Sequence, residues 1–260
     1  MRPCFPVASV RLLPGRFGYR VMIAMERTEF QSEGTTCVGY WFWPETPQQD
    51  RLPVIVMGHG FSAEWTFGTA DTIADFNAAG FAVFTFDYRH YGESGGQPRQ
   101  LLYVGRELND WRNALKHVRS DRRIDPNQLC IWGSSLGGGH VLTIAAEDHR
   151  IVAAAAQVPH CSSLAAAKNI PASAVIRTTG HALLDAFLCL FGGNHTIPIV
   201  GEPGEVGGMT FPGWKDEVLR LCPPTSDWAN ALPARSMLSV VNYSPASRAA
   251  RIRCPVCIHY

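Results

Sequence analysis

The chain has 260 residues, 46% of them hydrophobic, and a formal net charge of +1 from 23 Lys plus Arg against 22 Asp plus Glu. That length and apolar content suit one large α/β domain with a substantial core. The near-balance of charge excludes a strong field for nucleic acid or an anionic membrane, and no stretch reaches the ~18 apolar residues that a membrane span requires.

Taken in chain order, residues 1–24 hold Arg2, Arg11, Arg16 and Arg20 and no acid. The composition resembles a transit peptide, but Pro3, Pro6 and Pro14 interrupt any helix. The segment reads as a poorly ordered N-terminal extension, with the domain beginning near Met25. MERTEFQS (25–32) and TTCVGYWFWP (35–44) are rich in β-formers and flank a turn at Glu33-Gly34, which predicts an antiparallel strand pair. RLPVIVMGHG (51–60) is a dense apolar run ending in glycine, the mark of a buried central strand. TADTIADFNAAG (69–80) predicts a helix stopped by Gly80. FAVFTFDYR (81–89) is a second buried strand. Val104, Leu108, Trp111, Leu115 and Val118 fall at helical spacing within 103–120. Leu129–Trp132 is a third buried strand, a helix follows the glycines after it, and RIVAAAAQVP (150–159) is a fourth buried run.

Strands alternating with helices imply a parallel sheet between helical layers, joined by right-handed crossovers. Residues 161–249 then break the pattern without a clear buried strand and read as a cap or lid. RIRCPVCIHY returns to a buried strand. The expected architecture is a three-layer αβα sandwich with a mostly parallel central sheet. Its core spans 25–160, a helical cap (161–249) is inserted after the sixth strand, and a core strand lies at 250–260.

The cysteines Cys4, Cys37, Cys130, Cys161, Cys189, Cys222, Cys254 and Cys257 are scattered. Several sit in apolar runs, where a free thiol packs as a small hydrophobe. Only Cys254 and Cys257 form C-x-x-C, and no second Cys/His pair lies at metal spacing, so no metal site is expected. A reduced, cytoplasmic compartment fits this usage.

The stretch LCIWGSSLGGGH (129–140) carries the chemistry. Gly133-Ser134-Ser135-Leu136-Gly137 fits G-x-S-x-G, lying between a buried strand and a helix. Such a sharp turn holds a serine in a strained conformation with its hydroxyl clear of the sheet, which makes Ser135 the candidate nucleophile. The Leu136 amide, at the new helix N-terminus, is placed to stabilise an oxyanion. GHGF (58–61) offers a second donor, the Phe61 amide, and His59 reads as a residue that shapes this loop. GSSLGGG lacks the Lys-Ser/Thr ending of a phosphate-binding P-loop and the G-x-G-x-x-G spacing of a dinucleotide site.

With VIVMGHGF, FAVFTFDYRHYGESGG, LCIWGSSLGGGH and RIRCPVCIHY in order, the chain resembles the α/β-hydrolase superfamily over roughly residues 25 to 260. FDYRHYGESGGQPR and TIPIVGEPGEVGGMT further resemble the dienelactone-hydrolase-like, Xaa-Pro-dipeptidyl-peptidase-like and polyketide-transferase-like branch. The resemblance implies Ser135 as nucleophile and the Phe61 and Leu136 amides as oxyanion hole, with no cofactor. Asp87 and Glu93 would then shape loops rather than act in a triad.

A serine needs a histidine base oriented by a carboxylate, in the order Ser, Asp/Glu, His. Asp148, Asp185, Asp216 and Asp227 fall in the following helix or the cap. His140 lies five residues along the helix, His259 lies in a strand read as buried, and His160 at a strand end is the remaining alternative. The chain is therefore expected to stop short of its acid and base, with its last sheet strand missing and little turnover of its own. The expected function is hydrolysis of a small-molecule carboxylic ester or thioester through an acyl-serine. Peptidase, acyltransferase and non-catalytic binding readings stand beside it.

Overall fold

The computed structural model describes residues 9–14, 20–47 and 49–260, with backbone alone up to Ala24. The first part runs β1 (Ser9–Pro14), β2 (Arg20–Ser32), β3 (Thr35–Phe42), β4 (Leu52–Gly58), α1 (Ala70–Ala78), β5 (Ala82–Phe86), α2 (Val104–Ser120), β6 (Ile124–Ser134), α3 (Leu136–Glu147) and β7 (Ala153–Gln157). The segment expected to form a cap holds α4 (Ser163–Ala167), α5 (Ala172–Cys189), β8 (Thr196–Ile197), α6 (Trp214–Leu221), β9 (Leu232–Pro233) and α7 (Ser236–Val240). A 3-10 helix (Pro245–Arg251) leads back to β10 (Val256–His259).

The main sheet has the order β1-β2-β3-β5-β4-β6-β7-β10. The strands from β5 to β10 in that order are mutually parallel, and β1, β2 and β3 add an antiparallel wing. Alternation along the central strands sorts their side chains to two faces. Val54 and Val56 of β4 join the cluster containing Trp111 of α2 and Val141 and Ile144 of α3. Ile55 and Met57 face the other way, with Ile73 of α1 and Trp65. Burying each such side chain contributes about 1.5–3 kcal/mol, and only a helix layer on each face can cover both sets. This is the three-layer α/β-hydrolase fold.

Four expectations change. The sheet takes in Ser9–Pro14 and all of Arg20–Ser32, with Ser9 opposite Met25, so the boundary near Met25 cuts through a strand. The rest of the supposed extension, residues 1–8 and 15–19, lies outside the described residues. With β1 counted, the expected cap segment follows the seventh strand. β7 is only half-buried at alternate positions. β10 is not buried: Cys257, Ile258 and His259 are exposed, because β7 is its one partner among the described residues.

Candidate active site

β6 ends at Ser134 and α3 begins at Leu136, so Ser135 alone makes the turn, at φ 53 and ψ -120. A positive φ is strained for any residue with a Cβ. Main-chain bonds hold it there. Its N–H donates to the Gln157 carbonyl at 2.8 Å, and its carbonyl accepts from Gly139 N at 3.1 Å and His160 N at 2.8 Å. The flanking glycines are steric necessities. A Cβ on Gly133 would stand 2.5 Å from the Gly137 carbonyl oxygen, and one on Gly137 would stand 2.4 Å from that of His59.

The second of these clashes shows how close the 58–61 loop comes. A Cβ on Gly60 would lie 3.2 Å from Ser135 Cβ, so the residue before Phe61 packs directly against Ser135. Neither the Phe61 nor the Leu136 amide makes a hydrogen bond among the described residues. Leu136 is moreover at a helix N-terminus, where the dipole favours negative charge. The 58–61 loop and the turn at Ser135-Leu136 are thus brought together through Gly60.

His59 holds this loop. It is 3% exposed, and burial lowers its pKa to about 3. Its Nδ1 lies 3.1 Å from the Gly60 carbonyl and its Nε2 accepts from Tyr88 N at 3.4 Å. That pattern assigns the neutral tautomer with the proton on Nδ1, so both nitrogens serve the backbone. Asp87 shapes the next loop by accepting from Trp65 N at 3.0 Å. Its carboxyl is raised to about 7, chiefly by burial and then by the charge of Glu64. Glu93 pairs with Arg27 at 2.7 Å.

His140 and His160 are committed elsewhere. His140 is buried, with Nε2 2.8 Å from Glu107 Oε2 and Nδ1 2.8 Å from the Tyr243 hydroxyl. His160 turns Nε2 to Ser163 Oγ at 2.9 Å and stacks on Tyr243. His259 lies on the exposed edge strand rather than in a buried one. Asp148 pairs with Arg119 and Arg150, and Asp185 with Arg235. Among the described residues no histidine ring hydrogen-bonds the Ser135 hydroxyl.

The expected cap segment contributes contacts that residue patterns did not foretell. The Phe61 ring packs against the cluster of Ile197, Ile199, Val200 and Leu232. Trp228 Nε1 donates to the Ser62 carbonyl at 2.6 Å, and Ser226 Oγ donates to Glu64 Oε2 at 2.7 Å. Gln100 Nε2 donates to the carbonyls of Ala229 and Ala231, while its Oε1 accepts from Ala229 N. A strap over 226–231 is thereby tied to the loop carrying Phe61. Gln100 at φ 58 and Ser62 at φ 47 are its local marks, and such values are invisible in a residue string. Among the described residues, no three His, Cys, Asp or Glu side chains cluster to hold a metal, and no helix is long and apolar enough to cross a membrane.

A family model described as serine aminopeptidase, S33, matches residues 49–184, which include Phe61, Ser135 and Leu136. The chain belongs to this family. Similarity to known proteins extends past the matched region. The quorum-quenching protein AidA of Acinetobacter baumannii (strain MDR-ZJ06) is 34% identical over 229 residues, 88% of this chain and 75% of that protein. Among solved structures, DcsB in complex with its substrate analogue superposes with a TM-score of 0.77 at 21% identity, covering 90% of this chain and 79% of that one. The α/β-hydrolase GrgF from Penicillium sp. sh18 gives the same TM-score and identity over 91% of this chain and 79% of its own. At that identity the superpositions establish the fold alone.

Proposed function

We propose that this chain carries the nucleophile and oxyanion hole of a serine hydrolase acting on a small-molecule carboxylic ester or thioester. The observation that carries the reading is Ser135 at φ 53 between β6 and α3, with the Leu136 and Phe61 amides unpartnered and the residue before Phe61 packed against it. Ser135 Oγ attacks the carbonyl carbon and gives its proton to a base, and the two amides stabilise the resulting oxyanion. Collapse expels the alcohol or thiol, which takes that proton, and leaves an acyl-serine for water to hydrolyse. His59, His140 and His160 are engaged elsewhere, and among the described residues no histidine ring hydrogen-bonds the Ser135 hydroxyl. The apolar cluster around Phe61 favours an apolar acyl group, and a lactone fits the same chemistry as an open ester.

Fluorophosphonate labelling with peptide mapping tests the nucleophile. Modification of Ser135, lost in Ser135→Ala, is expected; modification of another serine alone overturns the assignment. Hydrolysis of p-nitrophenyl acetate tests the base. A rate enhancement over water well above the ~10³–10⁴ that survives loss of a triad member, and abolished in Ser135→Ala, would show that a base activates Ser135. The description of the family as a serine aminopeptidase supports a peptide substrate as the second reading. A panel of ester, lactone, thioester and amide substrates separates the two by which bond is cleaved.

A further inference from the structure

Among the described residues, helix α5 buries one side against His195 and Arg235 and leaves the opposite side uncovered. Ala174, Ala182 and Asp185 are buried. Asp185 accepts from the main-chain N–H groups of His195 and Arg235 and pairs with the Arg235 guanidinium. At about 100° per residue the face opposite these carries Ile176, Gly180, Leu183, Phe187 and Leu190, flanked by Leu184 and Phe191. Exposures are 71% for Ile176, 57% for Leu183, 58% for Phe187, 78% for Leu190 and 76% for Phe191. A solvent-facing helix side is ordinarily polar. Here no charged side chain falls on the stripe: Arg177, beside it, donates to the Gly204 carbonyl.

The stripe advances in steps of 4, 3, 4 and 3 residues, the spacing of a helix–helix seam. It also complements itself when reversed. Two α5 helices laid antiparallel about Leu183 set Ile176 against Leu190 and Leu183 against its own copy, and bring Gly180 within one residue's rise of Phe187. Gly180 sits mid-helix, where glycine costs about 1 kcal/mol relative to alanine, and a Cβ there would meet nothing within 4 Å. That space is a slot for the Phe187 ring of a second copy. A parallel arrangement would instead oppose glycine to glycine and ring to ring. The large side chains of the stripe, each more than half exposed, supply the apolar centre that a standard interface of ~800 Å² per partner requires. We propose that α5 is the interface of a two-fold symmetric homodimer, with a second copy of this chain as the occupant.

Sedimentation of wild type, Gly180→Leu and Leu183→Glu at about 1–100 µM tests it. Wild type is expected as a dimer, and both variants as folded monomers by far-UV circular dichroism, with the dissociation constant raised about tenfold or more. Gly180→Leu is the sharper variant. It raises helix propensity in a site with free space, so the fold is kept or stabilised while the seam is blocked. A wild-type monomer at the highest concentration, including one that partitions onto phosphatidylcholine vesicles, overturns the proposal. A dimer that neither substitution weakens overturns it as well.

Discussion

At the scale of single residues, the site is built from backbone positions that tolerate very few side chains. Ser135 is held at positive φ by three main-chain bonds, and Gly133 and Gly137 leave no room for a methyl group. These constraints are local, which is why G-x-S-x-G between a strand and a helix was legible without coordinates. Asp87 is different, because its environment comes from distant segments. Its folded value of about 7 lies above the ordinary ~3.9 of an aspartate. Between those two pH values the folded state keeps a proton that the unfolded chain has lost. Its contribution is therefore full below about pH 4 and declines as pH rises to about 7, by up to ~4 kcal/mol. Asp87→Asn cannot titrate, so its denaturation midpoint should fall less than that of wild type between pH 4 and 7. Parallel profiles for the two proteins would refute this account.

At the scale of elements, two connections bind the core to residues 226–231 and to the segment leading into β10. Glu107 of α2, His140 of α3 and Tyr243, which precedes the 3-10 helix, form one hydrogen-bonded line, with Thr143 also on the Tyr243 hydroxyl. Burial holds the Glu107 carboxyl above the usual glutamate range, opposed by its hydrogen bond to His140. The other connection is the strap, where the side-chain amide of Gln100 meets two carbonyls and one N–H. Removing that amide breaks three part-buried hydrogen bonds to the main chain, each worth about 0.5–1.5 kcal/mol. Gln100→Ala should open the strap locally, so limited proteolysis should cleave near 226–231 faster than in wild type while the core persists. Unchanged cleavage there would show that Gln100 does not hold the strap.

At the scale of the whole molecule, the sheet has two unlike margins. The antiparallel wing ends in β1 and the parallel side ends in β10, whose Ile258 is 50% exposed. An apolar strand with open main-chain groups pairs readily with other chains. Ile258→Lys places a charge on that edge and should raise the temperature at which light scattering begins, with no change in the far-UV spectrum. An unaltered scattering onset would locate the association-prone surface elsewhere.

Sequence by itself determined the strand–helix alternation, the sharp strand-to-helix turn at Ser135 and the loop-shaping reading of His59. Each rests on short-range sterics or on a hydrophobic period that a few neighbouring residues express. Only the tertiary structure decided that β1 belongs to the sheet, that β10 is exposed, that His140 serves Glu107 and Tyr243, and that residues 226–231 are tied to Ser62 through Trp228 and to Gln100 through its side-chain amide. Those facts depend on which distant segments meet. A strand reads as equally apolar at the centre of a sheet and at its edge, and a glutamine carries no mark of the backbone it will meet some 130 residues later.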